Sequence, residues 1–299
     1  MLVFVLRLLG RIPLPVLYCT LSPIVTFLLY RVTGYRRKVV KQNIANSFPG
    51  MSKEEQRALA KRYYRHLGHL LSEIVRAQCY SEEELRRRVT FKNPELLERT
   101  WAEGKSIMIM ALHQSNWEWL LQAGSVYLTP KISVVYKPLH NEAMDRYLYE
   151  GRSRFDCECI PHKQLLAQLD SWPSPYFFCI LSDQMPMKRS PKAWATMLGQ
   201  ETAFPMGAEI IAEKTEPVVI FCQMLQTSLV HYEVEFIPLG EPPYRLEDHH
   251  SLTRYAELAT GSITTQPHTW MWSNQRWRYG RELDTWDPKS WRSLEPRDS

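Results

Sequence analysis

Ser106-Ile107-Met108-Ile109-Met110-Ala111-Leu112-His113-Gln114-Ser115-Asn116-Trp117-Glu118 is the stretch whose reading decides the fold. Its first half is apolar without interruption from Ile107 to Leu112. A strand wetted on one face would alternate; an unbroken apolar run of this length fits a strand buried on both faces. Its second half turns polar and then opens a helical pattern from Asn116 to Val126. A strand covered on both sides needs companions, and similar runs occur at Ile132 to Tyr136, Tyr176 to Leu181 and Val218 to Cys222. Helical stretches fall between them: Asn116 to Val126, Asn141 to Phe155, Lys163 to Ser171 and Gly207 to Lys214. Strand–helix alternation predicts an α/β fold, a mainly parallel sheet flanked by helices. Tyr232 to Ile237 alternates and reads as an edge strand, and Arg254 to Ile263 as a late helix.

Ahead of this body lies a different texture. Ser52 to Arg76 is helical, with Ser52 and Glu55 spaced as a capping box and apolar residues at Leu59, Tyr63, Leu67, Leu70 and Ile74. Ser81 to Arg88 reads as a short helix with the same kind of start. Further upstream, Ile12 to Tyr30 carries no charge and is about long enough to span a bilayer, although Pro13, Pro15 and Pro23 oppose a straight helix. Seven Lys/Arg and no acid occur from Met1 to Lys41, so of the net +5 the remainder of the chain carries about −2. A basic, apolar leader on a near-neutral body suits an anionic membrane surface, not nucleic acid. The division expected is a membrane anchor over residues 1–35 and a catalytic domain over residues 36–299. The anchor either spans or lies in the interface, with the basic flank on the cytoplasmic side.

The six cysteines show no framework spacing and read as reduced thiols. Cys157 and Cys159 near His162 lack the second half of a metal site. His66, His69 and Glu73 share one helical face, which has zinc-like spacing but equally suits the polar border of a packed helix. Trp270, Trp272, Trp277 and Tyr279 read either as an interfacial aromatic patch or as core.

In parallel sheets ligands bind beyond the carboxyl ends of the strands. His113 stands at such an end, and Asp183-Gln184 ends another buried run facing the same crevice. Five residues on a helix turn about 500°, so His113 and Glu118 meet only if the histidine is in the loop and the glutamate in the first turn. Glu118 would then bond one imidazole nitrogen and leave the other as a general base. Ser115 and Glu118 also match a capping box, which would make Glu118 a helix-start residue alone. Asp183-Gln184 can likewise be a turn or cap, and Lys137, Arg152 and Arg154 plain surface charges.

His113-Gln114-Ser115-Asn116-Trp117-Glu118 resembles the His-x4-Glu/Asp motif of the HtrB/LpxL-type lipid A biosynthesis acyltransferases, the lauroyl and myristoyl transferases. The resemblance continues in order along the chain: the basic block Arg36-Arg37-Lys38 leading through Asn43 to Phe48-Pro49, then Tyr136-Lys137-Pro138-Leu139, Arg152-Ser153-Arg154-Phe155, Ser182-Asp183-Gln184 and a Trp-rich end. Lys137 stands where the family usually has Arg, and Asn274-Gln275 replaces a His-Arg pair. The resemblance implies a glycerolipid-acyltransferase-like fold at the bacterial inner membrane, with the catalytic domain on the cytoplasmic side. It implies transfer of a fatty acyl group from an acyl carrier protein thioester to a hydroxyl of a lipid A precursor, without cofactor or metal. His113 and Glu118 would be catalytic, and Asn116, Lys137, Arg152, Arg154, Asp183 and Gln184 would bind substrate. Another cell-envelope lipid as acceptor, a thioesterase and a non-catalytic scaffold are the rival readings.

Overall fold

The computed structural model describes residues 2–162, 164–165 and 169–284. A seven-stranded sheet forms its centre, in the order β1-β9-β8-β2-β5-β3-β4. The strands are β1 (Val89–Phe91), β2 (Ile107–Ala111), β3 (Ile132–Tyr136), β4 (Glu158–Pro161), β5 (Phe177–Leu181), β8 (Val218–Ser228) and β9 (His231–Gly240). Every pairing is parallel except that of β8 with β9. β6 (Lys192–Met197) and β7 (Gln200–Pro205) form a separate hairpin.

β2 is the middle strand, and all five of its residues are buried. The pleat sends Ile107, Ile109 and Ala111 into one core and Met108 and Met110 into the other. The first core lies under α8 (Trp117–Tyr127), and the second under α5 (Lys53–Ala77), α10 (Gly207–Thr215) and α11 (His250–Thr265). This is why the run showed no alternation: both faces of β2 are dry.

One expectation is corrected. Tyr232–Ile237 belongs to β9, which is one strand in from the edge because β1 pairs outside it. β1 and β4, the true edges, have three and four residues, too few for a period to register. The β6–β7 hairpin was also missed; its turn puts Leu198 and Gly199 at φ 51° and 72°, and leucine is an uncommon residue there. Of the expected helix over Lys163 to Ser171, residues 163 and 166–168 lie outside the described residues, and its end, Leu169–Ser171, is a 3-10 turn.

Ahead of the sheet, α5 starts at the Ser52–Glu55 capping box, with both reciprocal bonds made. Ser81 and Glu84 start α6 (Glu82–Arg88) in the same way. The apolar leader is α1 (Leu2–Leu9), α2 (Leu14–Cys19) and α3 (Leu21–Phe27), the last running into a π turn at Leu28–Val32. Pro13 caps α2 and Thr20 marks the break before α3. Leu14–Val32 is long and apolar enough to cross a membrane, at mean hydropathy 1.4, and only 11% of it is buried. One edge of it docks: Leu14 and Leu17 enter the core, and α3 lies flush against α5 at Gly68. A Cβ there would stand 2.3 Å from Thr26 Oγ1 and 2.7 Å from the Ser22 carbonyl, so only glycine permits the approach.

Candidate active site

The sheet register builds the site. Ala111 of β2 lies beside Leu181 of β5, and both strands run the same way. Two residues further on, His113 and Asp183 therefore emerge side by side. The carboxylate takes both groups His113 offers it: Oδ2 accepts the His113 backbone N–H at 3.0 Å, and Oδ1 lies 2.6 Å from Nδ1. The Trp270 indole N–H donates to Oδ2 at 2.8 Å, so Asp183 is gripped from three sides. Burial pushes the Asp183 carboxyl up, but the adjacent histidine and these hydrogen bonds outweigh it and hold the carboxyl below its ordinary value.

An ionised Asp183 only accepts, so Nδ1 carries the imidazole proton and Nε2 the lone pair. Nε2 faces the Gln184 side-chain amide at 3.1 Å. Asp183 keeps 2% of its side-chain surface exposed and His113 keeps 17%, so the acid is sealed while the imidazole is reachable. Trp117 closes one flank, with its ring edge-on to the imidazole at 5.3 Å.

The corner between β2 and α8 is tied at each residue. The His113 carbonyl accepts from Met271 N at 3.0 Å. Gln114 is buried and exchanges hydrogen bonds with Ser262 of α11 in both directions. Ser115 adopts a left-handed conformation at φ 55° and donates to the Met224 carbonyl of β8 at 2.8 Å. Tyr255 donates to the Ala111 carbonyl at 2.8 Å.

Four expectations change. Glu118 does not touch the imidazole; it forms a two-pronged pair with Arg152, with Nε donating at 2.9 Å and Nη2 at 2.5 Å. The carboxylate on His113 is Asp183, because a parallel neighbour at equal register arrives closer than a residue one helical turn away. Ser115 is no cap: Asn116 is the N-cap, accepting from Trp119 N at 3.0 Å. Asn116 is fully buried and its amide donates to Glu73 at 2.6 Å, so its oxygen and its nitrogen both bond within the fold. Arg154 donates to the carbonyls of Ala77 and Tyr80, each at 2.7 Å, and so fastens the end of α5 instead of entering the crevice.

Other residues fall where a site can use them. Gln184 is exposed beside the imidazole, and Lys137 is exposed just beyond β3. Arg152, at the end of α9 (Glu142–Arg152), lies 5.9 Å from the Tyr136 ring centre. Burial opposes its charge, but the Glu118 bonds hold its pKa above the usual value. Among the described residues no group of three His, Cys, Asp or Glu is placed to hold a metal. His66 meets His268, His69 lies tilted against the Tyr18 ring, and Glu73 turns to Tyr18, Tyr232 and Asn116.

Sequence reasoning missed Trp270 as a site residue. It is part of the core, as are Trp272 and Arg276, so the aromatic end is not an interfacial patch. The sequence blocks also meet here: Asn43 of α4 (Arg37–Ser47) donates to the carbonyls of Trp272 and Asn274 at 2.9 and 2.8 Å. The basic block and the Trp-rich end are thus two halves of one clamp behind Asp183.

A histidine held by a buried aspartate at the end of parallel strands, with its second nitrogen turned outward, can take a proton from a hydroxyl or a water. No individual curated protein matches the chain. The family model for the bacterial lipid A biosynthesis acyltransferases matches residues 1–279, nearly the full length, and the chain belongs to that family.

Proposed function

We propose that the protein transfers a fatty acyl group from an acyl carrier protein thioester to a hydroxyl of a lipid A precursor, in a late acylation of that lipid. Family membership supports the acyl transfer and the glycolipid acceptor. The observation that carries the mechanism is the Asp183–His113 pair, with Nε2 left for the substrate.

In this reading Nε2 removes the proton as the acceptor oxygen attacks the thioester carbonyl. Asp183 holds the tautomer and stabilises the imidazolium that forms. Gln184 swings from Nε2 when the acceptor hydroxyl takes its place. The oxyanion is met by backbone N–H groups at the start of α8, where the helix dipole also favours negative charge. On collapse the C–S bond breaks, and the imidazolium returns its proton to the carrier's thiolate. Glu118 holds Arg152 at the rim, where the remaining guanidinium donors and Lys137 face the phosphates of the glycolipid. Residues 1–35 seat the catalytic domain, residues 36–299, on the cytoplasmic side of the inner membrane. The exposed apolar side chains Ile24, Phe27, Leu28 and Val32 support this seating.

The test is turnover of purified protein with acyl carrier thioester and lipid A precursor, with and without the precursor. We expect acylated precursor and little hydrolysis, and we expect His113→Ala to lower transfer by about 10³-fold or more at unchanged melting temperature. Retained transfer in folded His113→Ala rejects His113 as base; hydrolysis indifferent to precursor makes the protein a thioesterase.

A further inference from the structure

Glu73 is a carboxylate with no exposed surface, near the C-terminal end of α5 and outside the catalytic chemistry described above. Burying a carboxylate is costly unless its oxygens are fully bonded. Here they are. Oε1 accepts from the Tyr18 hydroxyl, and Oε2 accepts from the Asn116 amide at 2.6 Å and from the Tyr232 hydroxyl at 2.8 Å. The backbone carbonyl of the same residue accepts the Trp119 indole N–H at 3.2 Å. One residue of α5 thus holds the leader (α2), the second strand of the sheet (β9) and both sides of the α8 start. Arg88, 4.9 Å from the Tyr80 ring centre and 5.8 Å from that of Trp119, adds attraction from beyond.

We propose that Glu73 is a positioning residue for acyl transfer: by gripping the Asn116 amide it sets the corner from which His113 projects. Asn116 stands three residues after His113 and caps α8, so its side chain fixes the path of the intervening backbone. Ser115 between them is left-handed, a conformation that persists only where the surroundings enforce it. His113 is held at its other side by Asp183. Without the Glu73 bond, the loop keeps its attachment to β5 and loses the hold of α5 on Asn116, and the imidazole tilts relative to the acceptor. Burial outweighs the three hydrogen bonds and Arg88, which act the other way, and leaves the Glu73 carboxyl pushed up to about 7.

The inference rests on the reading of His113 as the base. A purely structural role for Glu73 predicts lower stability and unchanged chemistry; positioning predicts lower kcat at unchanged KM. The experiment uses the full chain in liposomes with acyl carrier thioester and lipid A precursor. Glu73→Gln removes the charge and puts an amide donor in place of one of the two acceptor oxygens that Asn116, Tyr18 and Tyr232 share, which weakens the grip on Asn116; we expect kcat to fall about 30-fold, with KM changed less than about twofold. Asn116→Asp keeps the cap but sets two carboxylates face to face, with a similar fall expected. The double variant Glu73→Gln/Asn116→Asp reverses the donor and acceptor, and kcat should recover to within about threefold of wild type.

Glu209→Gln is the control. It makes the same change at another buried carboxyl, on α10, which burial also pushes up to about 7, and it should leave kcat unaltered. Wild-type kcat in folded Glu73→Gln or folded Asn116→Asp, or a double variant no better than the singles, overturns the proposal. If Glu73→Gln does not fold, Asn116→Asp and the double variant decide alone. Transfer by His113→Ala in the same assay removes the underlying reading instead, which keeps the two failures apart.

Discussion

The strand that runs into the His113 corner and the leader at Leu14–Val32 are both apolar in sequence, and the structure treats them in opposite ways. The corner is buried and tied by hydrogen bonds to β5, β8, α5, α11 and the Trp270 segment. The leader is held along one edge only and presents Ile24, Phe27, Leu28 and Val32 outward. The apolar residues of the strand are enclosed within the fold, whereas those of the leader face a surface outside the protein. The difference teaches that hydrophobicity alone does not tell a core from an anchor; what tells them apart is whether polar partners exist nearby to satisfy the backbone and fix a geometry.

The comparison can be broken most sharply at Asp183. Asp183→Asn keeps the shape and removes the charge that orders the imidazole, and kcat should fall by about 10³-fold. Glu118→Gln should cost less, about 30-fold in kcat, because it acts through Arg152; loosening a largely buried pair should also destabilise the fold by about 2 kcal/mol. Steady-state kinetics with parallel thermal melts check both. A larger kcat loss in Glu118→Gln than in Asp183→Asn would mean that Glu118, and not Asp183, works on the histidine.

At the docked edge of the leader the effect should be structural. Gly68→Ala forces a methyl against Thr26 and the Ser22 carbonyl, with an expected loss of about 1–3 kcal/mol in stability. Chemical denaturation measures it, and an unchanged midpoint would show that α3 does not pack on α5 in solution. On the outward face the fold should hardly respond. Phe27→Ser should change stability by less than about 0.5 kcal/mol, yet weaken partition onto anionic vesicles by about tenfold. Unaltered vesicle binding would remove Phe27 from the membrane face.

The sheet was legible because β2, β3, β5 and β8 are long apolar runs whose burial leaves a plain trace. The helix starts at Ser52 and Ser81 were legible for a local reason: a capping box needs only four residues. The site was half legible. His113, Asp183 and Gln184 could be placed at strand ends, and so in one crevice. Which carboxylate meets the imidazole was not readable, because that depends on register between strands some seventy residues apart, and no local pattern encodes register. The Glu118–Arg152 pair and the reach of Trp270 to Asp183 were hidden for the same reason.

The equal overhang of two residues past Ala111 and Leu181 also limits how the gene can drift. Side chains on a strand swap faces with each added or lost residue. A single-codon deletion in the middle of β5 would bring Gln184 to the place of Asp183, leaving an amide where the carboxylate now holds the imidazole. A change in length between the strands leaves this pairing alone, but a change in the distance from either strand to its histidine or aspartate breaks it.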